Sequence, residues 1–351
     1  MIREAIALAV EGSDLSSDQM REVWEEITGG QATSAQIASL ITALRVKGET
    51  VEEITAAAEV MRRKATRIEV FPGQNSGGPG PSAEDSVPLL VDTCGTGGDR
   101  LGTFNISTCT AFVIAAAGVH VAKHGNRSVS SACGSADVCE ALGANLSLTP
   151  EQTAASIRET GIGFLFAPAL HGTMKHAVGP RKEIGIRTIF NILGPLSNPA
   201  GAEIQILGVY SEELTAVLAS VLGRLGSRRA LVVHGEDGMD EITTTGKTTV
   251  SEFSGNGVRT YSLHPEDFGL PVARLDDLRG ATAGENARLI LDLLQGKTGP
   301  HRDIVLLNAG AALYVAGVAP GVGAGIEKAR QTIEEGKALR KLRDFVAYTN
   351  R

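Results

Sequence analysis

An α/β fold with a small all-helical N-terminal domain is predicted by three observations. Residues 1 to about 68 repeat their apolar side chains at helical spacing. From about residue 87, short apolar runs alternate with helix-length stretches, the pattern of a central, mainly parallel sheet flanked by helices. Two of those runs end in polar, glycine-bearing segments, and the carboxyl ends of parallel strands are where such sheets hold ligands.

The helical part comes first. Its apolar positions are Ile2, Ile6 and Val10, then Met20, Val23 and Ile27, then Ile37, Leu40, Ile41 and Leu44, then Val51, Ile54, Ala58 and Met61. Gly12-Ser13-Asp14, Gly29-Gly30 and Gly48 separate these groups, with Thr33 and Thr50 as caps. Four short helices follow, in a domain expected over 1–70 and joined by a segment near 168–190. Residues 71–88 are rich in Gly, Pro and Ser and read as a flexible linker.

The large domain is expected over 89–351. Strand-like runs are 87–91, 119–122, 163–166, 204–209 and 230–233, with helices over 107–117, 135–142, 150–160 and 212–225. Thr149-Pro150-Glu151 is a strong helix start, with a capping hydroxyl followed by proline. Residues 248–253 and 258–263, joined through Gly255-Asn256-Gly257, read as a hairpin. The tail from Gly284 is helical, with 304–315 apolar enough to be buried.

Composition narrows the function. The chain has 351 residues, a net charge of −7 and an aromatic share of 4%. That charge disfavours non-specific nucleic-acid binding, and so few aromatics disfavour a base-stacking platform. No apolar run approaches the ~20 residues needed to cross a bilayer, and Glu4 and Glu11 sit where a signal peptide would be basic and then apolar. A cytoplasmic location without membrane partners is expected. Cys94, Cys109, Cys133 and Cys139 lack any C-x-x-C pairing and read as small buried thiols.

The chemistry concentrates in two segments. Asp92-Thr93-Cys94-Gly95-Thr96-Gly97-Gly98-Asp99 reads as a glycine-dense turn whose backbone N–H groups can converge on phosphate oxygens. Thr103, Asn105, Ser107 and Thr108 then open a helix, and hydroxyls at a helix start suit phosphate or hydrated magnesium. Lys123-His124-Gly125-Asn126-Arg127 reads as a basic turn, with Lys123 a point charge for phosphate. His124 is either an oxyanion donor or a structural histidine. Gly134-Ser135-Ala136-Asp137 opens another helix and can take a second phosphate. Asp240-Glu241 suits Mg²⁺, which needs only one or two protein carboxylates. Alternatively it is a solvated acidic turn. His171, Lys175, His176, Arg181 and Lys182 are either a solvated basic face or a carboxylate site centred on Arg181. There is no G-x-x-x-x-G-K-[ST] and no G-x-G-x-x-G after a strand, which disfavours nucleotide folds built on those loops.

Together these segments resemble the anthranilate phosphoribosyltransferase family. The run from Arg187 through Thr188, Ile189, Phe190, Asn191, Ile192, Leu193, Gly194, Pro195, Leu196, Ser197 and Asn198 to Pro199 is the most specific match, with Gly238-Met239-Asp240-Glu241 as the acidic motif. The resemblance implies a homodimer built on the helical domain and an active site at the hinge between domains. It implies that Gly95, Thr96, Gly97, Gly98, Asp99, Thr103, Asn105, Ser107, Thr108, Lys123, His124, Gly125, Asn126 and Ser135 receive phosphoribosyl diphosphate. Gly95, Asn126, His171, Arg181 and Gly194 would contact anthranilate, and Ser107, Asp240 and Glu241 would hold Mg²⁺. Lys123, His124 and Arg181 would act by positioning and charge. Ala132 stands where many members carry lysine, and the linker is longer than usual. Rival readings are a pyrimidine nucleoside phosphorylase and a non-enzymatic nucleic-acid-binding relative.

Overall fold

The computed structural model describes residues 1–72, 88–99, 101–128 and 132–351. Most of the expected linker therefore lies outside the described residues. The chain opens with α1 (Ile2–Val10), α2 (Ser17–Thr28), α3 (Ser34–Lys47) and α4 (Val51–Lys64). Each of the last three starts on a reciprocal cap: Ser16 with Gln19, Thr33 with Gln36, and Thr50 with Glu53. Each such cap contributes about 1 kcal/mol to its helix. Glu53 is fully buried and also accepts from Leu15 N at 2.8 Å and from Lys47 Nζ at 3.0 Å, so its charge is paired.

The remainder runs β1 (Leu90–Gly95), α5 (Ile106–Ala116), β2 (His120–Gly125), α6 (Ser135–Ala141), α7 (Pro150–Thr160), β3 (Ile162–Phe166), α8 (Ala167–Leu170), α9 (Lys175–Ile184) and α10 (Ile189–Leu193). It continues with β4 (Ile204–Gly208), α11 (Leu214–Arg224), β5 (Arg229–Gly235), β6 (Thr248–Phe253), β7 (Val258–Leu263), α12 (Ala283–Leu294), α13 (Pro300–Val315), α14 (Val322–Glu334) and α15 (Lys337–Thr349). The strands form one sheet in the order β3-β2-β1-β4-β5-β6-β7. The first five are parallel, and β6 and β7 continue as an antiparallel hairpin.

Both faces of the parallel strands are buried, and alternate residues divide between them. Ile204, Ile206, Leu231 and Val233 join the core under α5 and α12–α15. Leu207, Ala230 and Val232 join a second core that runs through α10 and α11 into the N-terminal helices. Covering both faces is what parallel strands require. Trp24 sits at the centre of that second core, its ring 5.5 Å from Phe190 of α10. α9 packs on α3, so the segment after β3 meets the N-terminal helices.

Two expectations need correction. Asp92, Thr93, Cys94 and Gly95 are strand rather than turn, and so are Lys123, His124 and Gly125. Polar residues sit mid-sheet here because distant groups satisfy them. Asp92 is fully buried and accepts from His124 N at 3.1 Å and from Asn198 Nδ2 at 2.9 Å. The four cysteines are buried and unbridged.

Candidate active site

Strand order reverses at β1. The chain moves from β1 outward to β2 and β3, then returns to place β4 on β1's other side. The crevice over such a switch point is where open α/β sheets bind ligands. Gly95 and Gly208 are directly paired at the carboxyl ends of β1 and β4. The loop after β5 lies across both. A Cβ on Gly208 would fall 1.6 Å from the Asp240 carbonyl oxygen, and one on Gly95 would fall 2.4 Å from Asp240 Oδ2. Only glycine allows this approach.

The acidic loop is then tied to the glycine loop. Thr96 N donates to Gly208 O at 2.9 Å, and Gly97 N donates to Asp240 Oδ2 at 2.7 Å. Gly97 and Gly98 have φ of +69° and +76°, which turns the chain tightly above the strand. Ser107 N, at the start of α5, donates to Glu241 Oε1 at 3.1 Å. Asp99 and Asp240 are hydrogen-bonded to each other, and burial holds both carboxyls above the usual carboxylate range. Glu241 is raised as well, by burial and then by Asp240. Adjacent Asp240 and Glu241 are the pair of buried carboxyls that a cation here would meet.

The oxygen donor set fits Mg²⁺. Ser107 Oγ faces Lys123 Nζ at 3.3 Å, and Glu241 keeps Oε2 outside the bonds just given. Among the described residues no three His, Cys, Asp or Glu side chains converge to enclose a metal unaided. That accords with an ion that keeps waters or substrate oxygens in its shell. Lys123 is only 2% exposed and donates to Thr93 O at 2.6 Å, which fixes its ammonium below the loop. Thr96 and Thr108 hold buried hydroxyls without a partner among the described residues. Such orphaned donors are what an absent ligand oxygen would satisfy.

Not every expected donor-site residue is free. Asn105 spends its amide on Cys133 O at 3.3 Å and accepts from Asn286 Nδ2 at 3.0 Å. Thr103 bridges Arg279 through its backbone at the outer end of the loop. Asn126 and Ser135 meet, with Asn126 N donating to Ser135 Oγ at 3.2 Å, and a Cβ on Gly125 would strike that hydroxyl. Ala132 precedes Cys133 and Gly134 at the start of α6, and residues 129–131 are outside the described set.

The second side of the crevice holds two histidines. His124 Nε2 and His171 Nε2 are 3.2 Å apart, and both rings are buried. Burial pushes His171 down to about 4, and burial together with the charges of His171 and Lys123 pushes His124 down to about 3. Both are neutral, one ring supplying N–H and the other a lone pair. His124 also hydrogen-bonds the backbone of Gly194, which brings that residue to the pair. Arg181 lies with its guanidinium 5.1 Å over the Phe190 ring, without an ion pair among the described residues. Burial lowers its pKa from the usual arginine value.

Residues 3–65 match the glycosyl transferase family helical bundle domain, and residues 87–339 match the glycosyl transferase family α/β domain. An anthranilate phosphoribosyltransferase of Geobacter sp. (strain M21) is 57% identical over all of this chain and 99% of its own length. One from Geobacter sulfurreducens is 56% identical over the whole of both chains. The chain belongs to the anthranilate phosphoribosyltransferase family. Solved structures of that family agree. The enzyme from Thermus thermophilus superposes with a TM-score of 0.90 at 42% identity, covering 99% of each chain. The Saccharomyces cerevisiae enzyme, in complex with PRPP and Mg, gives 0.87 at 29% identity, covering 99% of this chain and 98% of its own.

Sequence reasoning overlooked several residues that build this site. Gly208 ends β4 inside an apolar run and carries no motif. Tyr210 follows it and supports Arg187, whose guanidinium carbon is 4.3 Å from the Tyr210 ring centroid. Asn198, quoted only as part of a longer run, binds Asp92 and Ala122 O. An asparagine between serine and proline is an ordinary turn signal, so its buried role is not visible locally.

Proposed function

We infer that this chain transfers the 5-phosphoribosyl group of phosphoribosyl diphosphate to the amine of anthranilate, releasing pyrophosphate, in tryptophan biosynthesis. The observation that carries the reading is the glycine loop of β1 locked to Asp240-Glu241 over the sheet's switch point, with a buried lysine beneath. The C1–O bond to diphosphate breaks as the amine forms the C1–N bond, and the amine's proton leaves afterwards. The ribose carries positive charge in passing, as in other glycosyl transfers.

Negative charge grows on the departing diphosphate. The Gly98 end of the glycine loop (whose Gly97 N–H is already held by Asp240), the Thr108 hydroxyl and the Lys123 ammonium would receive it, and their fixed positions would spare reorganisation. Mg²⁺ held by Asp240, Glu241 and Ser107 would supply further neutralisation of that charge. Arg181 takes the anthranilate carboxylate, and the flat Phe190 ring keeps its guanidinium in place. An arylamine is unprotonated at neutral pH, so the neutral His124–His171 pair orients the acceptor and need not remove a proton before attack.

We place the homodimer contact on α1 and α3. Ala9, Val10, Ala38, Ser39, Thr42, Ala43 and Val46 line a groove there, and Val10 and Val46 are 71% and 83% exposed. A second copy of the same surface would cover them. A polyanionic donor and four unbridged thiols suit a reducing cytoplasm.

The test is loss of anthranilate fluorescence on adding phosphoribosyl diphosphate and Mg²⁺, with and without EDTA. Loss that EDTA abolishes is expected. Folded protein that consumes no anthranilate would overturn the reading, and phosphorolysis of thymidine or uridine would then place it with the nucleoside phosphorylases.

A further inference from the structure

The guanidinium of Arg187 touches the glycine loop without belonging to any set of ligands given above. Arg187 stands two residues beyond Gly185, the left-handed residue that ends α9, and just before α10. A Cβ built on Gly98 would lie 3.4 Å from Arg187 Nη2 and 3.5 Å from Nε, so the guanidinium lies alongside that glycine. Its other face rests on Tyr210, 4.3 Å from the ring centroid. No carboxylate pairs with it among the described residues, although Asp99 feels its charge. Tyr210 is itself half-buried two residues past Gly208 and feels the charges of Arg45 in the last turn of α3 and of Glu49 just beyond it. Arg187 and Tyr210 therefore join three parts of the molecule at one point: the N-terminal helices, the α9–α10 connection and the glycine loop.

A surface arginine without a carboxylate partner normally swings in solvent at a large entropy cost to any fixed geometry. Here stacking on an aromatic face fixes the plane of the fork, and cation–π attraction holds it there. A fixed cation beside a left-handed Gly-Gly turn does two things. It constrains the turn that lies beside the donor, and it offsets the charge that a diphosphate brings next to Asp99, Asp240 and Glu241. We propose that Arg187, clamped on Tyr210, is a positioning residue that holds the Gly97–Gly98 turn for phosphoribosyl diphosphate and so sets donor affinity while leaving the anthranilate side untouched. This rests on the donor named above.

The experiment measures donor binding directly by calorimetry with Mg²⁺, and separately the KM of each substrate, for Arg187→Ala, Arg187→Lys, Tyr210→Phe and Tyr210→Ala. Arg187→Ala is expected to weaken the donor about 10- to 100-fold, the range of one charge-assisted hydrogen bond. The anthranilate KM should stay within about twofold. Arg187→Lys keeps the charge but loses the stacked fork, and should recover little of the donor affinity. Tyr210→Phe should behave as wild type, and Tyr210→Ala should reproduce most of the Arg187→Ala defect, with no further loss in the double variant. Unchanged donor binding in Arg187→Ala would overturn the proposal. So would equal rises in both KM values, which a general structural role would produce, or full recovery by lysine, which would make the clamp irrelevant. Wild-type protein that binds no donor would instead overturn the function on which the proposal rests.

Discussion

Gly208→Ala is the sharpest test of how the site is assembled. The new methyl would sit 1.6 Å from the Asp240 carbonyl oxygen and 2.3 Å from its carbonyl carbon. Cβ atoms essentially never approach a heavy atom closer than 3.0 Å, so about 1.4 Å must be found. Both partners are backbone, and no rotamer change relieves the clash. β4 is held between β1 and β5 along its length, whereas the acidic segment is a loop, so the loop gives way. A shift of that size breaks the 2.7 Å bond from Gly97 N to Asp240 and the 3.1 Å bond from Ser107 N to Glu241. Misplacing groups by about 1 Å typically costs about 100-fold in rate. We expect kcat to fall about 100-fold and the Mg²⁺ concentration for half-maximal rate to rise at least about 10-fold, both effects of that displacement. Overpacking should destabilise the fold by only about 1–3 kcal/mol, leaving it intact. The assay is anthranilate fluorescence across a Mg²⁺ titration, with thermal melting and circular dichroism as controls. A folded variant with kcat and Mg²⁺ dependence within twofold of wild type would refute the argument that Asp240 is seated on the strand ends.

Other predictions follow from the opposite wall and from the surface. His124 and His171 stay neutral to about 3 and about 4 in the fold, whereas an unfolded histidine titrates near 6.5. The unfolded chain therefore binds more protons below that value, and stability falls with decreasing pH by up to about 1.4 kcal/mol per unit for each ring. His171→Asn should flatten the dependence of the urea midpoint between pH 6.5 and 5, and an unchanged slope would count against a buried neutral pair. Arg181→Ala should raise the anthranilate KM about 10-fold or more, as loss of a charged bidentate contact does, with the donor KM nearly constant. Equal effects on both substrates would remove Arg181 from the carboxylate. Val46→Asp places a charge on the apolar groove of α1 and α3 and should shift sedimentation from dimer to monomer; persistence of the dimer would put the interface elsewhere.

Element types were legible where local pattern and local chemistry agree. α7 runs over Pro150–Thr160 as expected, because a capping threonine, a first-turn proline and a helical apolar repeat all lie within twelve residues. The ends of β1 and β2 were not legible. Asp92 and Lys123 look like turn residues because their partners are far away in sequence: Asn198 for the first, Thr93 and Ser107 for the second. At the site, the glycine loop, Lys123 and the acidic pair could be found because their chemistry shows in residue type. Gly208 and Tyr210 could not, because their roles come from what the fold sets against them. Asn105 shows the converse: a polar side chain at a helix start whose hydrogen bonds are taken by neighbours.

The placement of Trp24 has an optical consequence. It is the only tryptophan in the chain, fully buried, with its ring 5.5 Å from Phe190, against whose ring Arg181 also rests. All indole emission thus originates at one spot, a single aromatic layer away from where the acceptor's carboxylate is expected. Anthranilate absorbs in the region where a shielded indole emits. Acceptor binding would then be read as quenching of Trp24 with sensitised anthranilate emission, without labels and without turnover.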